Sequence, residues 1–292
     1  MIGHLQTIAA ALRPRPRPAF ARERWDTPDG DFIDVDFAGA GRPLVLFHGL
    51  EGCSHSHYVR VLAPAFATAG WRVAIAHWRG CSGEPNRLPR AYHSGDSAEV
   101  DWILRRFTPP VDAIGVSLGG NALLKWLGER GDDARRIVRR AAAISAPLDL
   151  AAAAGALDRG LNRLIYTRMF LATLKTKSLA QLARYPGLFD GRRLARARTF
   201  REFDDLYTAP LHGFRDAAHY WRSSSSGTWL ATIRVPTLVI NARNDPFLPE
   251  RALLAASRDA ASCVTLELPR AGGHVGFAGA WLKRRLMDFL QP

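Results

Sequence analysis

The chain has 292 residues, 47% hydrophobic and 23% charged, with a formal net charge of +13 at pH 7. This length suits one α/β unit carrying an insertion, and no apolar run approaches the ~18 residues that span a bilayer, which argues against a transmembrane anchor. Only Lys125, Lys175, Lys177 and Lys283 of the 40 basic residues are lysines; the arginine excess reads as compositional bias, and with no zinc-finger, RNP or basic-helix pattern a nucleic-acid partner is not expected.

"MIGHLQTIAAAL" is mildly apolar but has no basic segment ahead of its apolar part, so it does not read as a signal peptide. The Arg-Pro run at 13–18 reads as an extended surface arm. "RERWDTPDGDFIDVDF" predicts a hairpin turning at Asp29-Gly30. Near-continuous apolar runs then recur: "PLVLFHG" (43–49), "WRVAIAH" (71–77), "VDAIGVS" (111–117), "RRAAAIS" (139–145), "PTLVINA" (236–242) and the later "CVTLELP". Such runs suit strands buried on both faces, hence a mostly parallel central sheet flanked by helices, here over 56–69, 96–107, 118–130 and 248–260. In the closing helix Leu282, Leu286, Phe289 and Leu290 form one apolar stripe. Cys53, Cys81 and Cys263 form neither a disulfide framework nor a CxxC pair, which points to a reducing cytoplasm.

The alternation stops between about Ala151 and Ser226. No strand pattern occurs there, and "LNRLIYTRMFLATLKTK" is apolar nearly all round. Twelve basic against five acidic residues give Gly155 to Arg215 a net +7, and "SSSSG" reads as a flexible exit loop. The predicted organisation is therefore residues 1–150 as the first part of an α/β core with arm and hairpin, 151–226 as a helical cap insertion, and 227–292 as the second part of the core.

Gly115-Val116-Ser117-Leu118-Gly119 follows an apolar strand and opens a helix, the setting of a nucleophile elbow. A serine hydroxyl attacks only when a base takes its proton and an acid orients that base. Asp245 in "NARNDPF" and His274 in "AGGHVGF" supply both, in the order serine, acid, histidine, each past a predicted strand where open α/β sheets assemble sites. Asp149, after "RRAAAISAPL", is the substitute acid. The oxyanion requires two backbone donors: the Leu118 amide is one, and in "HGLEG" the Leu50 amide is favoured, with Glu51 as the alternative and His48 shaping the turn.

Cys53, His55 and His57 sit where a helix starts, with Ser54 or Ser56 as its cap and no acidic partner nearby, so no metal is predicted. Arg79, Cys81 and Ser82 in "HWRGCSGE" either line the pocket or serve the conformation of that glycine loop, and Cys81 lacks the elbow setting of a nucleophile. "HSGDSAEV" reads as a helix start capped by Ser94 or Asp96.

Taken together, "GHLQT", "HGLEG-CSHSHYVR", "HWRGCSGEPNRLPRAYHSGD", "GVSLGGN", "NARNDPF" and "GGHVGF" resemble the YheT-like family of α/β-hydrolase fold serine hydrolases almost end to end. The resemblance implies an α/β-hydrolase fold, a triad of Ser117, Asp245 and His274, and short or medium acyl or lipid-like ester substrates, with no cofactor. "HYWRSSSS" (219–226) departs locally, since the family more often has an acidic residue and a tyrosine before the serine or threonine. An acyltransferase would share all these residues and differ in letting an alcohol resolve the acyl-enzyme; a non-catalytic lipid-binding module is the other alternative. The net +7 of the insertion beside Leu161, Leu164, Ile165 and Phe170 raises transient contact with an anionic membrane surface against a merely solvated basic face.

Overall fold

The computed structural model describes residues 1–277 and 280–291. Eight strands form one sheet: β1 (Ala21–Asp26), β2 (Phe32–Ala38), β3 (Arg42–Phe47), β4 (Trp71–Ala76), β5 (Val111–Val116), β6 (Val138–Ile144), β7 (Thr237–Ile240) and β8 (Val264–Glu267). Their order across the sheet is β1-β2-β4-β3-β5-β6-β7-β8. β1 and β2 pair antiparallel, β2 joins β4 antiparallel, and every later pairing is parallel. The β1–β2 hairpin turns as the sequence suggests: Gly30 takes φ +84 and its N–H reaches the Thr27 carbonyl at 2.9 Å.

The apolar runs are explained by where alternate residues go. Along β3, Leu44 and Leu46 face the layer of Val59, Leu62, Phe66, Leu286 and Leu290, from the helices Val59–Thr68 and Trp281–Leu290. Val45 and Phe47 face the opposite layer of Trp78, from the loop after β4, and Val100, Ile103, Leu123 and Leu127, from the helices Ser97–Leu104 and Leu118–Arg130. With both faces covered, none of the four residues is exposed, each contributing about 1.5–3 kcal/mol of burial.

Several boundaries differ from the sequence reading. Residues 54–58 form turns, with the Cys53 N–H on Ser56 Oγ at 3.0 Å, so the helix begins at Val59 and neither Ser54 nor Ser56 caps it. Asp96, not Ser94, caps Ser97–Leu104. The helix expected over 248–260 is only Glu250–Ala256. Between β6 and β7 the described elements are all helical, including Leu150–Leu157, Arg163–Thr167, Arg168–Arg184 and Ala217–Ser224.

"SSSSG" is not a flexible loop. Ser224 and Ser226 are buried, and Asn121 holds both sides, donating to the Ser224 carbonyl at 2.7 Å and accepting the Ser226 N–H at 2.9 Å. Small side chains let this strand of chain press against the helix Leu118–Arg130, which serine-rich composition alone does not reveal. Nor is the segment around Leu161–Lys177 buried all round: Tyr166, Thr167 and Leu171 face inward, whereas Leu161, Leu164, Ile165 and Met169 stay exposed.

Candidate active site

Strand β5 ends at Val116, and Ser117 turns the chain sharply into the helix Leu118–Arg130 with φ 52 and ψ −117. A non-glycine residue in that region is strained, and the surroundings hold it there. The glycines on either side permit the turn: a Cβ on Gly115 would meet the Gly119 carbonyl oxygen at 2.5 Å, and one on Gly119 the Phe47 carbonyl oxygen at 2.4 Å. The Ser117 N–H is anchored on the Ile144 carbonyl at 2.8 Å, which leaves the side chain above the sheet's C-terminal edge.

His274 Nε2 lies 3.0 Å from Ser117 Oγ, and its Nδ1 lies 2.9 Å from Asp245 Oδ2. With Nδ1–H donating to the carboxylate, Nε2 is free to accept the serine proton. The other Asp245 oxygen accepts the Phe247 N–H at 2.8 Å, and the carboxylate is fully buried. The Phe247 ring covers the imidazole with centroids 4.2 Å apart. The structure thus brings together the three side chains singled out from the sequence, 157 and 29 positions apart along the chain.

The loop bearing His274 is pinned from several directions. Thr7 Oγ1 accepts the His274 N–H at 2.8 Å, and Ser145 Oγ accepts that of Val275 at 3.1 Å. His57 Nε2 donates to the Val275 carbonyl at 3.2 Å. Asn244 Oδ1 accepts the Gly272 and Gly273 N–H groups at 3.1 and 3.0 Å, tying the acid's loop to the histidine's loop. Gln6 Oε1 accepts from both Asn244 Nδ2 and the Gly272 N–H, at 2.8 and 3.1 Å. Thr7, Gln6, Asn244 and Ser145 escaped the sequence reading. "GHLQT" and "NARND" are quoted motifs, but spacing does not reveal a contact that joins the two ends of the chain.

On the opposite side of Ser117, the turn after β3 presents two backbone amides. The Glu51 N–H, at φ 54, donates to Tyr92 Oη at 2.9 Å, and that hydroxyl donates to Glu51 Oε1 at 2.9 Å. Among the described residues, the Leu50 and Leu118 N–H groups are given to no other group. His48 is wholly buried, and burial pushes its pKa down to about 3. As a neutral ring it donates from Nδ1 to the Gly49 carbonyl at 2.8 Å and accepts the Trp78 N–H at Nε2, 3.1 Å away. It shapes the turn, as expected.

The other residues weighed from the sequence have plain positions. Burial pushes His57 down to about 4, so it is a neutral donor to the histidine loop, while His55 lies against Phe20. Arg79 and Cys81 line the cavity; Arg79 is bound at 2.9 Å to both Asp31 and Glu99, and burial pushes the Cys81 thiol up to about 12. Asp149 caps the helix Leu150–Leu157 through the Ala152 N–H at 3.0 Å. It is occupied elsewhere.

A cavity of about 600 Å³ opens over Ser117, His274, Leu50 and Leu118. Leu157, Leu174, Phe203, Tyr207 and Trp221, from the helices between β6 and β7, form much of its wall. Lys177 from the same helices pairs with Glu51 at 2.9 Å. Such a largely apolar, concave space takes an organic ligand of modest size.

Comparison with known proteins agrees with this architecture. Residues 42–279 match the model of the alpha/beta hydrolase fold. The Escherichia coli (strain K12) candidate esterase YheT is 38% identical, over 98% of this chain and 89% of its own. The phospholipase ABHD3 of Mus musculus is 27% identical, over 92% of this chain and 70% of its own. Among solved structures, an esterase from Exiguobacterium antarcticum shares the fold with a TM-score of 0.58, at 18% identity, over 92% of this chain and 97% of that one. The chain belongs to the α/β hydrolase family, within its YheT-like group of ester hydrolases.

Proposed function

We propose that this carboxylic ester hydrolase cleaves short or medium acyl or lipid-like esters through an acyl-enzyme on Ser117. The observation that carries the reading is the single imidazole of His274 spanning Ser117 Oγ at 3.0 Å and Asp245 at 2.9 Å on the cavity floor. His274 Nε2 takes the Ser117 proton as Oγ bonds to the acyl carbon, and the carbonyl electron pair moves onto oxygen. The Leu118 N–H and the Leu50 N–H hold that oxyanion; Glu51 is the weaker candidate because its N–H is committed to Tyr92. Collapse expels the alkoxide, which leaves as the alcohol with the histidine's proton. Water then loses a proton to His274, attacks the acyl carbon and releases the carboxylic acid, restoring Ser117.

Asp245 fixes the imidazole tautomer and stabilises its cation. The helices of 151–226 act as a cap whose apolar wall suits an acyl chain, and the chemistry calls for no cofactor or metal. A reducing cytoplasm fits the free thiols of Cys53, Cys81 and Cys263.

A fluorophosphonate probe tests the assignment, because a base-activated serine reacts with it readily. The wild type is expected to label at Ser117, His274→Ala scarcely at all, and Ser117→Ala not at all. Robust labelling of Ser117→Ala would move the nucleophile elsewhere. An ester panel of graded acyl length, run on wild type and Ser117→Ala together, then reads the substrate class.

A further inference from the structure

The helix Ile2–Leu12 is built inside out. A helix on a soluble protein ordinarily turns its apolar stripe to the core. Here the inward face carries Gly3, Gln6, Thr7 and the partly buried Ile8, with Gln6 and Thr7 bonding the loops of Asp245 and His274, while Ile2, Leu5 and Leu12 stand 67%, 66% and 76% exposed. At spacings of three and seven these residues share one side of the helix. A second apolar stripe lies on the segment Leu161–Met169, where Leu161, Leu164, Ile165 and Met169 are 52%, 69%, 41% and 54% exposed.

The two stripes belong to elements in direct contact. The His4 ring stacks on that of Tyr166 at 5.7 Å, with His4 Nδ1 3.2 Å from the Tyr166 hydroxyl. Arginines accompany both: Arg13, Arg15 and Arg17 follow the first, and Arg159, Arg163 and Arg168 punctuate the second. Among the described residues none of these six is within salt-bridge distance of an acid. Exposed aliphatic side chains beside guanidinium groups that no acid neutralises match a surface that is apolar beneath and anionic above.

We propose that these stripes form one docking face that seats the protein on bilayers containing anionic phospholipid. The leucines enter the acyl boundary while the arginines meet headgroup phosphates. Among the described residues no helix is long and apolar enough to cross a membrane, and the docking proposed is peripheral and reversible. The face lies directly behind the site: Tyr166 packs on Phe247 at 4.6 Å, and Phe247 on His274 at 4.2 Å. The proposal rests on the lipid-like ester reading for its purpose, though not for its test.

The test is co-sedimentation of the full chain, as Ser117→Ala so that nothing is hydrolysed, with phosphatidylglycerol-containing vesicles and with pure phosphatidylcholine vesicles. Binding is expected on the anionic vesicles at low salt and is expected to fall steeply at about 1 M salt, where the screening length shrinks to ~3 Å. A Leu5→Glu/Leu164→Glu variant is expected to lose about a hundredfold in affinity, since about tenfold accompanies each leucine withdrawn. In the Ser117-containing enzyme the same two substitutions are expected to leave the melting temperature and turnover of a water-soluble ester unchanged. No sedimentation at low salt overturns the proposal, as does equal binding of the double variant. A concentration-dependent dimer that the double variant abolishes, without vesicle binding, would assign the face to a second copy of the chain. Failure of docking leaves the esterase reading standing, and loss of ester turnover leaves this binding measurement standing.

Discussion

Thr7 and His274, 267 positions apart, share a hydrogen bond in which Thr7 Oγ1 accepts the histidine's backbone N–H at 2.8 Å. The same hydroxyl donates to the Gly3 carbonyl at 2.8 Å, so it is satisfied in both roles. Thr7→Val keeps the shape and removes the acceptor, leaving a half-buried N–H unpaired at a cost of about 1 kcal/mol. Because the loop then loses a fixed point, kcat is expected to fall roughly 10- to 100-fold with KM nearly unchanged, and Thr7→Ser to restore it. Unaltered kcat in the valine variant would show that Thr7 stabilises without positioning.

Asp245→Asn is expected to lower kcat by about 10²–10⁴-fold while the melt and KM stay near wild type. Asp245 Oδ1 also accepts the Phe247 N–H, a bond that asparagine can keep, so the loop is spared while the orienting charge is lost. Steady-state kinetics on a soluble ester read this directly. Turnover at the wild-type rate would remove Asp245 from the acid's role, and the replacement would have to come from outside Asp149, which already caps a helix.

The elements most legible in the sequence are those whose evidence is local. Strand β5 and the helix Leu118–Arg130 announce themselves through an unbroken apolar run meeting glycines around Ser117, and the hairpin through Asp29-Gly30. What stayed hidden depends on partners distant in the chain. The run "SSSSG" looks like a linker until Asn121 is placed against it. "GHLQT" looks like a weakly apolar end until Gln6 and Thr7 meet the loops of Asp245 and His274. Periodicity is blind to such contacts because a hydrogen bond to a backbone amide leaves no spacing. The segment at Leu161 is helical as its pattern implies, but which of its apolar faces is buried stays hidden for a related reason: periodicity counts apolar faces but not which of them has a partner.

Tyr92 closes a ring with Glu51, taking its N–H and returning a hydrogen bond to its carboxylate, both at 2.9 Å. Glu51 sits at φ 54 one residue after Leu50, so this ring fixes where the Leu50 N–H points. Tyr92→Phe removes the hydroxyl and is expected to cut kcat by about tenfold or more, less than the loss of an oxyanion donor outright. Fluorophosphonate labelling of Ser117 is expected to persist at a reduced rate, since the serine and its base are untouched. Equal kcat for Tyr92→Phe would detach the Glu51 turn from oxyanion stabilisation.

Asp204, in the cavity wall, accepts from Thr208 Oγ1 at 2.6 Å and from Trp221 Nε1 at 2.8 Å. Burial outweighs both bonds and, with the nearby charges of Asp158 and Asp205, pushes its carboxyl up to about 7 from an ordinary 3.8. Between those values the folded chain keeps a proton that the unfolded chain has released, so stability falls as pH rises. The contribution is full below about pH 4 and gone once the pH has passed through about 7. Asp204→Asn imitates the neutral acid: its carbonyl oxygen can take the Trp221 N–H while its amide donates to Thr208 Oγ1. Urea melts of wild type and variant at about pH 5 and about pH 8 are therefore expected to diverge, the variant losing less stability across the interval. Parallel losses in the two proteins would mean that Asp204 is ionised throughout, with the Thr208 and Trp221 hydrogen bonds prevailing over burial.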